Sequence, residues 1–154
     1  MIVVKKASSD DLDDLRSVYD KYEAYFQEAP LFMVRQEETI EDLKEWMAEE
    51  NRHLWIAYLH GKAVGFMQIQ EQGESYIAAD KGVMNITGAY VYSEERSSGI
   101  GQTLLGRVFS YLEDHQYKLC GVDFESFNIQ GSKFWNKHFK PYTYSLVRRI
   151  DERI

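Results

Sequence analysis

Residues 91–101 read Val-Tyr-Ser-Glu-Glu-Arg-Ser-Ser-Gly-Ile-Gly, and their surroundings show what kind of connection they form. Before them, residues 83–92 have the length and the β-branched content of a strand. After them, apolar residues recur at helical spacing from Leu104 to Leu112 and predict an amphipathic helix. The stretch is therefore a polar, glycine-containing link that leads from a strand directly into a helix.

A link of this kind is suited to hold a phosphate group. Glycine lets the backbone approach a bulky anion and adopt conformations that other residues avoid. The first N–H groups of a helix have no partner inside the helix and point at whatever lies before it. No Gly-Lys-Ser/Thr follows, and the three-glycine dinucleotide fingerprint is missing, which disfavours nucleotide hydrolysis and hydride transfer. The pattern predicts a pyrophosphate site, and an ordinary glycine-rich turn without a ligand is the alternative.

The segments on either side of this link alternate between strand and helix patterns. Upstream, in chain order, they are a strand at 2–4, a helix from a cap at Ser8, Ser9 or Asp10 to Phe26, a helix opened by Thr39 with Asp42, and a hairpin of strands 54–59 and 63–69. Downstream they are a strand at 119–127, a helix at 132–139 and a strand at 142–150. This order predicts an α/β fold with a mixed sheet and helices on both faces, built as one domain over residues 1–154.

Composition and charge exclude several classes of protein. The sequence is 44% hydrophobic with two prolines, so we expect it to fold throughout. Its net charge of −7 repels polyanions, so nucleic acid is not an expected partner, whereas a cationic acceptor is favoured. Cys120 is the only cysteine, and the four histidines, His53, His60, His115 and His138, lack metal-ligand spacing and are expected on the surface or in turns. With neither a signal peptide nor a membrane-spanning run, the sequence predicts a cytoplasmic protein that contacts no membrane.

Val91, followed by Arg96-Ser97-Ser98-Gly99-Ile100-Gly101, resembles the cofactor-binding signature of the GNAT family of N-acetyltransferases, Val-x-x-x-x-Arg/Gln-x-x-Gly-x-Gly/Ala. The predicted element order is similar to that family over essentially the whole chain, and residues 128–139 resemble its second cofactor-binding stretch. The resemblance implies the GNAT-like acyl-CoA N-acyltransferase fold, a central mixed β-sheet flanked by helices. It also implies acetyl-CoA as acyl donor, no metal, and a primary amine of a small molecule or peptide as acceptor.

The resemblance further implies which residues contact the cofactor. The backbone of Ala89, Tyr90 and Val91 would pair with the pantetheine arm like an added strand. Arg96 would assist at the pyrophosphate by its charge. The N–H donors to the pyrophosphate would come from Ser97, Ser98, Gly99, Ile100, Gly101 and Gln102.

The implied chemistry is direct attack of a neutral amine on a thioester, without a covalent enzyme intermediate. It requires orientation, removal of the ammonium proton and a donor to the developing oxyanion, for which the family implies a backbone N–H near Val91. Strand alternation places Asp123 and Glu125 on one side of their strand, so either is a candidate base, and a solvated strand face is the alternative. Tyr142 or Tyr144 is a candidate acid, with an ordinary aromatic strand residue as the alternative for each. Cys120 is interpreted as a small packing residue and not as a nucleophile.

Two residues in the second stretch carry further implications. Asn128 matches an asparagine that contacts the pantetheine in many relatives, and it also suits a helix cap. Seven residues later, many relatives carry a tyrosine that protonates the thiolate, but Trp135 stands there, and its indole N–H is not a useful acid. We include Trp135 among the cofactor-binding residues and keep a non-catalytic acyl-CoA sensor as the alternative function. The expected open edge of the last strand is compatible with a homodimer.

Overall fold

The computed structural model describes residues 1–27, 37–72 and 83–151, and within these ranges it contains five strands and four α-helices. Their bounds, in chain order, are β1 Ile2–Lys6, α1 Arg16–Gln27, α2 Ile40–Met47, β2 Arg52–Leu59, β3 Lys62–Gln72, β4 Val83–Val91, α3 Ile100–Asp114, β5 Cys120–Val122 and α4 Ile129–His138. Short 3-10 helices precede α1, at Ser9–Leu15, and α3, at Ser93–Glu95.

The chain divides into two compact units, Met1–Asp123 and Phe124–Ile154. The first unit contains all five strands together with α1, α2 and α3, and the second contains α4. The prediction of a single domain over residues 1–154 stays a prediction.

The sheet of the first unit is mixed, as predicted. Its strand order is β1-β2-β3-β4-β5, with antiparallel pairing from β1 through β4 and parallel pairing of β4 with β5. The predicted hairpin is confirmed: His60 and Gly61 join β2 to β3 with φ values of 51° and 77°. Two successive left-handed residues give the turn that matches the twist of a two-residue hairpin.

Helices cover both faces of this sheet, which confirms the predicted layering. Side chains alternate between the faces of a strand, so Leu54 and Ile56 lie on one face of β2 and Trp55 on the other. The first face packs against α1 and α2 in a cluster of Leu12, Leu15, Val18, Tyr19, Tyr22, Ile40, Leu43, Leu54, Ile56 and Phe66. On the opposite face the Trp55 ring lies 5.3 Å, centroid to centroid, from Tyr111 of α3.

The predicted capping box at the start of α2 is confirmed. The Thr39 hydroxyl accepts a hydrogen bond from the Asp42 N–H at 3.2 Å, and the Asp42 carboxylate accepts one from the Thr39 N–H at 2.8 Å. Two N–H groups that the helix leaves unpaired are thus satisfied. Ser8 is the N-cap of the first helical segment, which begins as a 3-10 helix and becomes α-helical at Arg16.

Two predicted strands differ from the structure. The strand predicted at 119–127 ends at Val122, because β4 pairs with β5 only as far as Ile86 and then diverges from it. The strand predicted at 142–150 is wrong, since residues 139–149 contain neither helix nor strand. Tyr144 and Leu146 there are 84% and 94% exposed. Alternating apolar residues form a strand only when a neighbouring strand satisfies their backbone groups.

Candidate active site

The candidate site begins where β4 separates from β5. Parallel pairing joins only Met84, Asn85 and Ile86 to Cys120–Val122, although β4 continues to Val91. The last five residues of β4 therefore extend past its pairing with β5, and none of the described strands pairs with them on that side; this unpaired stretch is the open edge of β4.

A β-bulge in β4 lies at the start of this open edge. Ile86 is opposite Ile69 of β3, and Gly88 is opposite Gln68, so Thr87 is the extra residue between the two pairs. A bulge bends its strand and increases the local twist. The bend accounts for the divergence of β4 from β5 directly after Ile86.

The hydrogen-bond pattern after the bulge shows which backbone groups face the open edge. In an antiparallel pair, residues that direct both backbone groups at the partner strand alternate with residues that direct both away. The Tyr92 N–H donates to the Val64 carbonyl at 3.0 Å, so Tyr90 also bonds to β3 while Ala89 and Val91 point away from it. Of the predicted pantetheine contacts, this alternation favours Ala89 and Val91 over the backbone of Tyr90.

The link between β4 and α3 adopts the left-handed backbone that its sequence suggests. Ser97 has φ 74° and Gly99 has φ 85°. A Cβ built on Gly99 would meet no heavy atom of the described residues within 4 Å, its two chain neighbours aside, so the space beside this glycine is open. The Ser98 hydroxyl donates to the Glu95 carbonyl and closes the turn before the helix.

The N-terminus of α3 provides a group of N–H donors. The first backbone bond of the helix runs from the Thr103 N–H to the Gly99 carbonyl at 2.9 Å. The N–H groups of Ile100, Gly101 and Gln102 precede it and have no partner inside the helix. No acidic residue lies in the first turn, and the helix dipole places about half a positive charge at this end. The arrangement suits a pyrophosphate.

Arg96 lies in the link that precedes this helix end, and its side chain is held in place. Its Nε donates to the Val91 carbonyl at 2.9 Å, and its guanidinium carbon lies 5.2 Å from the centre of the Tyr90 ring. Among the residues that the structure describes, no carboxylate oxygen lies within 4.0 Å of its guanidinium nitrogens. Its positive charge is therefore available to an anion bound at α3. The open edge, the helix N-terminus and Arg96 together fit an acyl-CoA.

The candidate catalytic residues occupy different settings. Asp123 directly follows β5 and is exposed, whereas Glu125 belongs to the second unit and is half-buried. The expectation that one strand presents both carboxylates is wrong, because β5 ends at Val122. Tyr142 is 54% exposed in a stretch without regular structure. The catalytic roles of these three residues stay predictions.

In the second unit, Asn128 and Trp135 have defined structural roles. The Asn128 side-chain oxygen accepts from the Gly131 N–H at 2.8 Å, which confirms the helix-cap interpretation. Trp135 is 7% exposed and packs its ring edge-on against Phe134 and Phe139, with centroids 4.8 Å and 5.8 Å away. Their contacts with a cofactor stay predictions.

Some polar residues of the core were not expected from the sequence. His53 is not a surface residue: it is half-buried, its Nε2 lies 2.9 Å from the Tyr111 hydroxyl, and burial, Lys6 and His115 lower its pKa to about 4. Gln68 is only 9% exposed within β3. The burial of Gln68 could have been predicted, because it is a polar residue at an inward position of an apolar strand. No local feature of the sequence indicated the burial of His53.

Three further observations bear on chemistry and environment. Burial raises the pKa of the Cys120 thiol to about 12, so this sulfur stays protonated and is a poor nucleophile. Within 1–27, 37–72 and 83–151, no group of three or more His, Cys, Asp or Glu side chains is arranged to hold a metal ion. In the same ranges, no helix combines the length and apolar character needed to cross a membrane.

Known proteins share this fold. The profile of the acetyltransferase (GNAT) family matches residues 15–139. Among solved structures, AAC(6')-Iy in complex with the bisubstrate analog CoA-S-monomethyl-acetylneamine has a TM-score of 0.78 and 15% identity, over 100% of this chain and 99% of that one. The ribosomal-protein-alanine N-acetyltransferase from Brucella melitensis biovar Abortus 2308 has a TM-score of 0.73 and 14% identity, with coverage of 97% and 100%.

The aminoglycoside 6'-N-acetyltransferase AAC(6')-Ih from Acinetobacter baumannii is also similar, with a TM-score of 0.75 and 15% identity over 99% and 100% of the two chains. At these identities the likenesses establish the fold alone. No curated protein sequence matches the chain. The family profile covers most of the chain, including the whole strand, link and helix of the candidate site. The chain belongs to the GNAT acetyltransferase family.

Proposed function

We propose that the protein transfers acetyl from acetyl-CoA to a primary amine by direct attack, without a covalent enzyme intermediate. The observation that carries this proposal is the continuous path from the open edge of β4, past the left-handed turn at Gly99, to the unpaired N–H groups of α3. An extended pantetheine arm and a pyrophosphate need this combination of an unpaired strand edge and a helix N-terminus. Family membership supports the same assignment.

Different residues of the site bind the cofactor and stabilise the transition state. The N–H groups at the start of α3, with Arg96, hold the pyrophosphate and fix the position of the thioester. The N–H groups of Ala89 and Val91 face the open edge and are the candidate donors to the negative charge that develops on the acyl oxygen. One such donor contributes about 3–4 kcal/mol to transition-state stabilisation in enzymes where it has been removed.

Asp123 is the favoured base for the amine proton. It follows β5 directly, and β5 is the strand from which β4 diverges at the start of the open edge. Glu125 is the second candidate. Tyr142 is the candidate acid, although a coenzyme thiolate is itself a tolerable leaving group, so the reaction does not depend on an acid at the position of Trp135.

The acceptor is proposed to be a cationic amine. The net charge of −7 attracts cations, and a cavity of about 420 Å³ beside α1 and the start of α2 has mainly acidic walls. Its charged lining residues are Arg16, Asp20, Glu23, Glu37, Glu38 and Glu41. Proteins of similar fold include an aminoglycoside 6'-N-acetyltransferase and a ribosomal-protein-alanine N-acetyltransferase, which agrees with an amine acceptor.

The same charge and the single cysteine support a cytoplasmic protein that does not bind nucleic acid. A homodimer is also proposed, since large apolar side chains near the C-terminus are exposed; they are Tyr142, Tyr144, Leu146, Val147 and Ile150.

A second candidate function is a non-catalytic acyl-CoA sensor, which the presence of Trp135 favours. Turnover distinguishes the two functions. The purified protein is incubated with acetyl-CoA and a panel of amines, and free thiol is measured. An enzyme releases thiol in proportion to acetylated amine, with rates that depend on the amine. Binding of acetyl-CoA without thiol release for any amine would contradict the enzymatic proposal and favour the sensor.

A further inference from the structure

Gln68 is a buried polar residue next to the β4 bulge. Its flanking residues, Met67 and Ile69, are 2% and 0% exposed, and Gln68 itself is 9% exposed. Its Nε2 donates to the Thr87 hydroxyl at 3.3 Å. Its Oε1 is buried and accepts no hydrogen bond from the described residues. A buried acceptor without a partner costs about 1–3 kcal/mol, so its retention calls for a reason.

The Gln68 side chain lies directly over Gly88. A Cβ built on Gly88 would lie 2.8 Å from the Gln68 Cδ and 3.0 Å from its Cγ. These distances are too short for a real Cβ, so the carboxamide occupies the space that a side chain at position 88 would need. Gln68 therefore contacts both residues of the bulge: Thr87, which is the extra residue, and Gly88, which follows it.

The bulge decides which N–H groups of β4 face the open edge. With Thr87 as an extra residue, Ala89 is opposite Met67 and directs its backbone groups away from β3. Without the extra residue, Ala89 would move opposite Phe66. The backbone groups of Phe66 form hydrogen bonds to the residue opposite it on β4. A one-residue slip would therefore turn the Ala89 N–H toward β3 and away from the site.

We propose that Gln68 is a positioning residue that holds the Thr87 bulge and thereby aims the Ala89 and Val91 N–H groups at the acyl carbonyl. This inference rests on the proposed function. It also explains the unsatisfied Oε1: the carboxamide is retained for its bond to Thr87 and its contact with Gly88, although an apolar side chain of similar shape would cost less to bury.

The test measures carbonyl polarisation and needs no acceptor amine. Acetyl-CoA labelled with carbon-13 at the acetyl carbonyl is bound to the wild type, and its C=O stretch is recorded by isotope-edited infrared spectroscopy. We expect the stretch to move to lower wavenumber on binding. In Gln68→Met and in Thr87→Val we expect most of this shift to be lost. The double variant should lose no more of the shift than either single variant, because the two substitutions remove the same interaction.

Affinity and stability separate positioning from a general structural role. The Kd for acetyl-CoA should rise by no more than about tenfold, since contacts of Ala89 and Val91 with the pantetheine weaken while the pyrophosphate site is untouched. The Tm of Gln68→Met should stay close to that of the wild type, because removal of an unsatisfied buried group offsets the loss of the bond to Thr87. Gln70→Met is the matched control: Gln70 accepts from the Trp46 Nε1 at 3.1 Å, on the same face of β3 but away from the bulge. This variant should keep the full shift.

Two results would overturn the inference. One is an unchanged carbonyl shift in a folded Gln68→Met that binds acetyl-CoA, and the other is the same loss of shift in Gln70→Met. Failure of the proposed function gives different results. If the folded wild type does not bind acetyl-CoA, both proposals fall. If it binds and polarises the carbonyl, the shift is lost in Gln68→Met, and no amine is acetylated, the role of Gln68 is supported and the enzymatic function is contradicted.

Discussion

Asp123 is the first residue after β5, and its carboxylate lies outside the regular part of the sheet. Exposure keeps this group in contact with water, which suits a base that must pass on the proton it removes. Glu125 lies two residues further on, in the second unit, and is half-buried. The two carboxylates thus offer a matched pair of substitutions for the proton-removal step.

We predict that Asp123→Asn lowers kcat by about 10²–10⁴, the usual contribution of a general base. Its Kd for acetyl-CoA should stay that of the wild type, because the substitution leaves α3 and β4 unchanged. Steady-state kinetics with the best amine, together with binding measurements, provide the check. Glu125→Gln is the control and should retain activity. A larger loss of kcat in Glu125→Gln than in Asp123→Asn would assign the role of base to Glu125 instead.

Cys120 provides a second prediction at the scale of one residue. Burial raises its pKa to about 12, so almost no thiolate exists at neutral pH. Cys120→Ala should turn over like the wild type, and preincubation with acetyl-CoA alone should leave no acetyl group on the protein by intact mass spectrometry. A stable acetyl adduct that requires Cys120 would contradict direct attack.

Residue patterns predicted the backbone of the link between β4 and α3 well because its requirements are local. Gly99 was expected to permit an unusual backbone, and its φ of 85° agrees. The direction of the Ala89 and Val91 N–H groups could not be predicted, since it depends on Thr87 being the extra residue opposite β3. Strand alternation read from sequence assumes an uninterrupted ladder, and a bulge changes its phase.

At the scale of elements, α2 depends on a cap that the sequence predicted. Thr39→Ala removes the hydroxyl that accepts from the Asp42 N–H. We expect a loss of about 1 kcal/mol in the free energy of unfolding, measured by chemical denaturation. Thr39→Ser retains the hydroxyl and should recover most of this loss. Equal losses in the two variants would assign the effect to the Thr39 methyl group instead of to the cap.

The contact between β2 and α3 makes stability depend on pH. The pKa of His53 falls from an ordinary 6.5 to about 4 because of burial, Lys6 and His115. Between pH 4 and pH 6.5, the His53 imidazole is protonated in the unfolded chain and neutral in the folded chain, which favours unfolding. The contribution of His53 to the free energy of unfolding is therefore complete above pH 6.5 and is lost as the pH falls toward 4. The Tm should therefore decline across this window.

His53→Gln tests this dependence. Because the variant has no imidazole, its Tm should decline less than that of the wild type over the same pH range, in thermal scans at matched ionic strength. Lys44→Gln, a substitution at the other face of the sheet, should decline like the wild type. Parallel curves for the wild type and His53→Gln would show that His53 titrates as it does in water.

Elements with local signals were predicted well, and elements that require a partner were not. The α2 cap and the β2–β3 hairpin are fixed by neighbouring residues such as Thr39 with Asp42 and His60 with Gly61. The strand expected at 119–127 fails beyond Val122, because β4 diverges and offers no hydrogen bonds there. The segment at 142–150 has the alternation of a strand, but none of the described strands pairs with it.

At the scale of the whole molecule, charge should influence the choice of acceptor. With a net charge of −7, the protein attracts a polycationic amine at low salt, and this attraction weakens as the Debye length falls from about 10 Å at 0.1 M to about 3 Å at 1 M. We predict that KM for a polycationic amine rises with salt, in initial-rate measurements. KM for a monocationic amine of similar size should rise less. Equal salt dependence would remove the electrostatic argument for the acceptor.

The central claim is that the turn at Gly99 and the N-terminus of α3 hold the pyrophosphate of acetyl-CoA. Isothermal titration of acetyl-CoA into the wild type, Gly99→Asn and Gly99→Asp tests it most directly. Asn and Asp have nearly the same size, and both tolerate a left-handed backbone, so the two variants differ mainly in one negative charge.

The account predicts binding by the wild type, a weaker but measurable affinity for Gly99→Asn, and a further loss of at least about tenfold for Gly99→Asp, since its carboxylate repels the phosphates. Equal affinity of the two folded variants, or no binding by the folded wild type, would contradict the claim.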